Sequence, residues 1–320
     1  MFYVFQKKSN LNLCVTKTLK INNLEMKFKK ILLFLLLLNS LFSDAQTTLQ
    51  VVTKSVEKTL PAPVGTLLNL DAEKADVTLR TDSRSRDVTI KIELIARHPQ
   101  LDVAKHDLDA LKIITEKIGN KIYIRNYIAV AKGTAKPSAD LRTRYTVTLP
   151  PDLNITLKNT FGKLNASDLT NNLEVTAEFC KIQLTNIKGN TALTTRFGDI
   201  EGDKLDGKTT ISSVRTDISL NLLRGPCTIK TQFGKIKITA DRSLSALAVT
   251  AEKADITFDP PDGSPRFTYN LNAEYGKVTT PIKWEFKYLE KSKQREKAQL
   301  TGTAALVNLN TTFGQIVINQ

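Results

Sequence analysis

The sequence predicts an all-β fold, a single-stranded right-handed β-helix (β-solenoid) with coils of ~18 residues, on three observations. A short unit of aromatic, glycine, charged and branched apolar residues returns every 18 residues. Inside each repeat apolar and polar residues alternate with period two, which is the pattern of a half-buried strand. A glycine or asparagine marks one slot of every repeat, as a turn would.

The unit Thr160-Phe-Gly-Lys-Leu164 recurs as Glu178-Phe-Cys-Lys-Ile182, Arg196-Phe-Gly-Asp-Ile200, Val214-Arg-Thr-Asp-Ile218 and Gln232-Phe-Gly-Lys-Ile236. Looser copies follow at Glu252–Ile256, Glu274–Val278 and Thr312–Ile316, and an early one stands at Glu73–Val77. Leu164, Ile182, Ile200, Ile218 and Ile236 make one apolar column. Val175, Leu193, Ile211, Ile229 and Leu247 make a second, and Leu169, Ile187, Leu205 and Leu223 a third. Asn171, Gly189, Gly207 and Gly225 share the turn slot, where a positive φ is expected. One such unit cannot bury its own apolar face, but stacked units build a continuous core. Stepping by six from Leu164 meets Thr170 and Thr176, so the six-residue apolar pattern of a left-handed β-helix is missing.

The same geometry separates the cysteines. Cys180 and Cys227 lie 47 residues apart, about 2.6 coils, which at ~4.8 Å per coil is roughly 12 Å. A disulfide needs Cα atoms within about 7 Å, so two buried thiols are expected.

Along the chain, Met26-Lys-Phe-Lys-Lys30, the apolar run Ile31–Leu38 and the small residues of Ser43-Asp44-Ala45 have the three parts of an export signal. Residues 26–45 therefore read as a signal peptide cleaved before Gln46, and residues 1–25 as an upstream extension with Met26 as the start. The apolar run is short for a membrane span, and nothing after residue 46 is apolar enough to cross a bilayer. Export follows, to the periplasm, the cell surface or the exterior.

Residues 46–150 form a strand-rich N-terminal part with less regular spacing, in which Asp102 to Glu116 holds a short helix or a long loop. The solenoid proper spans residues 151–320. Between the copies at 275 and 313 the step is 38 residues, which leaves a hairpin insertion at about 281–300. Trp284, Phe286 and Tyr288 alternate on one of its faces, ahead of a polar tip with Lys291, Lys293 and Arg295. This segment either caps the last coil or, because insertions in solenoids often carry the binding face, offers an interaction surface.

The recurring Phe-Gly-Lys/Asp-Ile unit behind an export signal resembles the bacterial putative-adhesin family of exported β-solenoid domains, closely over residues 150–320 and loosely over 46–150. The resemblance implies an exported β-helix-like domain with an adhesin-like role, and it carries no catalytic residues.

Composition and motifs narrow the chemistry. Formal charge is +14. Residues 1–45 hold seven Lys against Glu25 and Asp44, a net +5, which leaves about +9 on the other 275 residues. That mild excess, on an exported chain, speaks against nucleic acid and is compatible with an anionic envelope surface. Only His98 and His106 are present, and no metal-spaced Cys/His cluster, phosphate loop or Ser/His/Asp set occurs. No catalytic, cofactor or metal residues are assigned. The column Lys163, Lys181, Asp199, Asp217, Lys235, Asp255, Lys277 and Gln315 should point outward, with Lys181 paired to Asp199 and Asp217 to Lys235. Phe161, Phe179, Phe197, Phe233, Tyr275 and Phe313 form a stripe that is either exposed for contact or stacked under a turn. The reading is a non-enzymatic envelope or surface protein with an adhesin-like binding or structural role, its partner a surface polysaccharide or another envelope protein. The alternatives are a carbohydrate-active β-helix enzyme, with Asp199, Asp217 and Lys235 at its centre, and a periplasmic scaffold or sensor.

Overall fold

A computed structural model of the protein describes residues 48–263 and 265–320. The export signal and the upstream extension lie outside the described residues. Six long strands follow one another in the middle of the chain: β8 (Asn154–Ser167), β9 (Leu173–Ile187), β10 (Thr191–Leu205), β11 (Thr209–Leu223), β12 (Cys227–Ala240) and β13 (Leu247–Asp259). Each pairs in parallel with the next, so that Leu164, Ile182, Ile200, Ile218, Ile236 and Ile256 stand rung on rung. All six are buried, as are the other two apolar columns. Each such Leu or Ile contributes roughly 1.5–3 kcal/mol by leaving water. The chain is a β-solenoid.

Every long strand is bent. In β9 the inward residues are Leu173, Val175 and Ala177, and beyond the bend Cys180, Ile182 and Leu184. A straight strand could not change parity without turning its apolar set outward. Phe179, at φ 53°, takes the left-handed conformation and swings the second arm so that both arms face one core. A second left-handed residue, Asn186 (φ 54°), starts the turn to the next coil, and Asp168, Lys204 and Leu222 occupy the same place in neighbouring coils.

This corrects the expected role of the turn glycines. Gly189, Gly207 and Gly225 do not have positive φ; the left-handed residues stand three positions earlier. Glycine is needed there for close approach, since a Cβ on Gly189 would sit 1.9 Å from the Asn171 carbonyl oxygen and one on Gly207 2.2 Å from that of Gly189.

Both ends of the solenoid depart from chain order. At the amino end β2 (Leu67–Glu73) and β3 (Ala75–Thr81) form a full coil with Lys74 as its corner. That coil lies between β8 on one side and β6 (Lys121–Ile128) with β7 (Asp140–Leu149) on the other. The chain therefore passes over its first coil between β7 and β8. Antiparallel strands finish this end: β5 (Leu111–Ile118) on β6, β4 (Asp87–His98) on β7, and β1 (Gln50–Pro61) on β4.

At the carboxyl end β14 (Thr268–Glu274) and β15 (Val278–Thr279) do not stack on β13. The last strands, β18 (Leu306–Thr312) and β19 (Ile316–Ile318), occupy that place, with β13 on one side and β14–β15 on the other. Antiparallel β17 (Arg295–Leu300) and β16 (Lys287–Lys291) then cover β14. Phe258, Phe267 and Tyr269 meet edge to face at 6.0–6.2 Å and fill the core of these final coils. Antiparallel caps of this kind withdraw the open edges of a parallel stack from further pairing.

The segment from Asp102 to Glu116 resolves into helix α1 (Leu101–Leu108) followed by β5. Its Asp107 is buried and accepts hydrogen bonds from the N–H groups of Ser138 (2.7 Å) and Ala139 (2.8 Å), with the His106 ring at 3.2 Å. Burial alone would push this carboxyl up, but the bonds from Ala139, His106 and Ser138 outweigh it and hold it below the usual carboxylate value. A depressed folded value means the stabilisation is present above the ordinary Asp range near pH ~4 and is lost as pH falls through the folded value. Asp107→Asn should cost about 1–3 kcal/mol at neutral pH. Thermal melts at pH 7 and pH 3 should show the gap between variant and parent closing at the acid end.

Both described cysteines are free and buried. Burial pushes the Cys227 thiol up to about 12 and raises that of Cys180 as well, so both behave as small core residues.

Candidate functional site

The bends of the coils line up along one side of the stack, and their occupants are unusual. In stacking order they are Lys74, Phe161, Phe179, Phe197, Arg215, Phe233, Lys253, Phe313 and Tyr275, all with φ between 48° and 61°. A bulky side chain at positive φ is an outlier and costs roughly 1–2 kcal/mol over glycine. The second left-handed position holds Asp168, Asn186, Lys204 and Leu222, so the backbone turn itself does not require an aromatic residue.

The bend column forms one continuous ridge. Phe161 and Phe179 stack with centroids 4.8 Å apart, as do Phe179 and Phe197, their planes within 9° and 4°. Arg215 is inserted between Phe197 and Phe233, 5.5 Å from each ring centre. Lys253 lies 5.3 Å from the other side of Phe233, and Phe313 stacks on Tyr275 at 5.0 Å. Stacked pairs contribute about 0.5–1.5 kcal/mol and exposed cation–π contacts about 0.5–1 kcal/mol, which roughly offsets the backbone strain. The stripe is both stacked and exposed: Phe161 and Phe179 are 46% accessible, Phe313 54% and Tyr275 59%. Because ring faces cover one another, the ridge offers solvent a single file of aromatic edges with cations interleaved.

Beside the ridge runs the charged column, pointing outward as expected, exposed except for the half-buried Lys181, and extended at its head by Asp76, Arg144 and Glu93. Its pairing differs from expectation. Lys181 reaches past Asp199 to Glu201, at 2.5 Å. That contact raises the lysine and holds Glu201 below its usual range. Asp217 accepts the backbone N–H of Lys235 (2.8 Å) instead of its ammonium, and Asp255 does the same for Gln315 (2.9 Å). The carboxylates thus lock register between coils. Asp199, Asp217 and Lys235 line a shallow depression of about 240 Å³. Among the described residues no three His, Cys, Asp or Glu side chains converge as a metal site requires.

The residues of the insertion are divided by the fold. Trp284, 7% exposed, and the half-buried Phe286 turn inward onto Tyr269 at 6.0 and 5.5 Å. They close the last coil and are not offered as contact surface. Tyr288 stays exposed with Lys291 4.8 Å from its ring. Arg295 is neutralised by Glu274. Lys293 reaches the end of the ridge, in an open depression with Tyr275, Phe313 and Lys277.

Sequence reasoning missed Lys74, Arg215 and Lys253 as members of the ridge. Their signal is positional, since each holds the second place of the repeat unit, but a search for aromatic residues passes over them.

A family model described as Toastrack DUF4097 matches residues 66–319. Among solved structures, a "putative adhesin" from Bacteroides fragilis is similar at 10% identity, covering 84% of this chain and 97% of that one, with a TM-score of 0.46. Another from Parabacteroides merdae is 11% identical over 83% and 97% of the two chains, with a TM-score of 0.34. A "putative cell adhesion protein" from Clostridium sporogenes is 13% identical over 83% and 99%, with a TM-score of 0.25. No curated protein matches the chain.

Proposed function

The chain belongs to the Toastrack DUF4097 family, and we propose that it is an exported, non-enzymatic envelope or cell-surface protein that binds an extended polymer along its ridge. The observation that carries this reading is the file of exposed Phe and Tyr side chains held at left-handed φ. A stack of nine coil corners gives a ridge one ring wide, suited to a single extended chain and not to a compact ligand. Apolar surface kept in water in this way marks contact sites. A surface polysaccharide is the partner proposed, with an extended segment of another envelope protein as the alternative. Export is supported by the leader at residues 26–45. Among the described residues no helix is long and apolar enough to cross a membrane.

Replacing Phe161, Phe179 and Phe197 together by Asn separates binding from folding. Asn suits a left-handed corner, so relieved strain should offset lost stacking and the melting temperature should move by only a few degrees. Retention on an array of bacterial surface glycans should fall at least tenfold. Equal retention of the folded triple variant, or no glycan retained by the parent, would overturn the reading.

A further inference from the structure

At the amino end of the ridge the repeat gives way to an open basic depression that the periodicity does not explain. It measures about 400 Å³ and is lined by Arg97, Arg142, Lys163, Asp76 and the rings of Phe161 and Phe179. A smaller recess shares Arg97, Arg142 and Asp76 and adds Lys74 and Arg144. Two of these cations are already answered: Arg142 by Asp140 at 3.0 Å and Arg144 by Glu93 at 2.6 Å. Arg97, Lys74 and Lys163 make no ion pair among the described residues, although Asp76 stands in register beside Lys163 and Asp140, taken by Arg142, stands opposite Arg97. Five cations therefore face three carboxylates, and the half-buried Arg97 is the one guanidinium whose fork is left open.

A planar guanidinium without a partner matches a carboxylate or phosphate in two-point geometry, and partial desolvation strengthens that contact. The neighbouring Phe161 and Phe179 supply the apolar edge against which a ring could rest. The depression opens onto the first aromatic rungs, so a group anchored on Arg97 would leave its chain aligned with the ridge.

We infer that this depression is an anion subsite for an acidic saccharide, holding its carboxylate or phosphate on Arg97 and Lys163 while the rest of the polymer runs along the ridge. The inference rests on the ridge reading for the path of the chain, but its anchor is tested separately.

The test measures binding of three fluorescent oligomers of matched length, oligogalacturonate, a glycerol-phosphate oligomer and neutral dextran. The proteins are the parent, Arg97→Gln and the Phe161/Phe179/Phe197→Asn triple variant. At least one acidic oligomer should bind the parent tenfold or more tighter than dextran; which of the two does so identifies the acid. Arg97→Gln, with an unchanged melting temperature, should lose roughly tenfold for that oligomer and show a weaker dependence on salt. Dextran binding as tightly as both acidic oligomers, neither acidic oligomer binding, or Arg97→Gln binding like the parent would each overturn the inference. Acidic binding that needs Arg97 but survives the triple Asn change would keep the depression and remove the ridge. Loss in the triple variant with no effect of Arg97→Gln would do the reverse.

Discussion

Gly198→Ala should destabilise the protein by at least ~2–3 kcal/mol, a large effect for a single methyl group. A Cβ built on Gly198 would lie 2.0 Å from the Cys180 carbonyl oxygen and 3.0 Å from its carbonyl carbon, both backbone atoms with no side chain to yield. The site belongs to a column that alternates along the stack. Gly162, Gly198, Gly234 and Gly314 each face a carbonyl of the coil before, from Ala75, Cys180, Thr216 and Ala254 in turn, at 1.9–2.3 Å from the missing Cβ. Those four partners are buried, so one coil's inward side chain is matched by its neighbour's lack of one. Thr216→Ala should be far milder, losing chiefly the contact of its hydroxyl with Thr195 (3.1 Å). Urea denaturation of the two variants should separate them clearly; similar midpoints would show that the coils can shift apart to admit a methyl group.

Truncation after Thr303 should abolish the folded state of the whole carboxyl end, not merely fray it. In an ordinary solenoid the final coil is the outermost and removing it exposes one new edge. Here β18 and β19 lie between β13 and β14–β15, so their loss leaves an empty rung inside the stack. Val307, Leu309, Ile316 and Ile318 are all at most 3% exposed. At ~1.5–3 kcal/mol each they contribute roughly 6–12 kcal/mol, comparable with the whole stability of a typical domain, ~5–15 kcal/mol. The truncated protein should be insoluble or show loss of protection from β13 onward in hydrogen exchange. A soluble product with native protection in β14 and β17 would mean that β14 can close directly on β13.

The central coils were legible because a solenoid writes its stacking into a fixed period: Leu164 to Ile236 appear in sequence at the spacing at which they touch in space. The bend was not read from the sequence, although it falls at the second residue of the repeat unit in every coil. Nor was the function of the glycines. Gly189 read as a turn residue with positive φ and Gly198 only as a member of the repeat unit, whereas the structure uses both for carbonyl clearance, a relation between coils that no single repeat contains. The ends were also hidden. Chain order implies that the coil of Tyr275 precedes that of Phe313, but parallel pairing depends only on register, and β18 fits between β13 and β14 as well as beyond them.

The candidate sites divide in the same way. The aromatic residues of the ridge were visible by period, and Trp284 and Phe286 were visible as an amphipathic pair. Whether each faced water was decided by the closing of the last coil, which needed two large rings over Tyr269 and so took them inward. Arg97 and Arg142 carry no signature, because they lie on the antiparallel pair of β4 and β7, whose partners are set by the fold and not by the repeat.

Sequence alone therefore determined the coil: its length, its three apolar columns and the separation of its two thiols, since all of these follow from local periodicity. Tertiary structure decided the order in which the end coils stack, which aromatic rings remain in solvent, and where an unpaired arginine meets the ridge. Those depend on contacts between segments far apart in the chain, where burial of a whole face outweighs what any local pattern can specify.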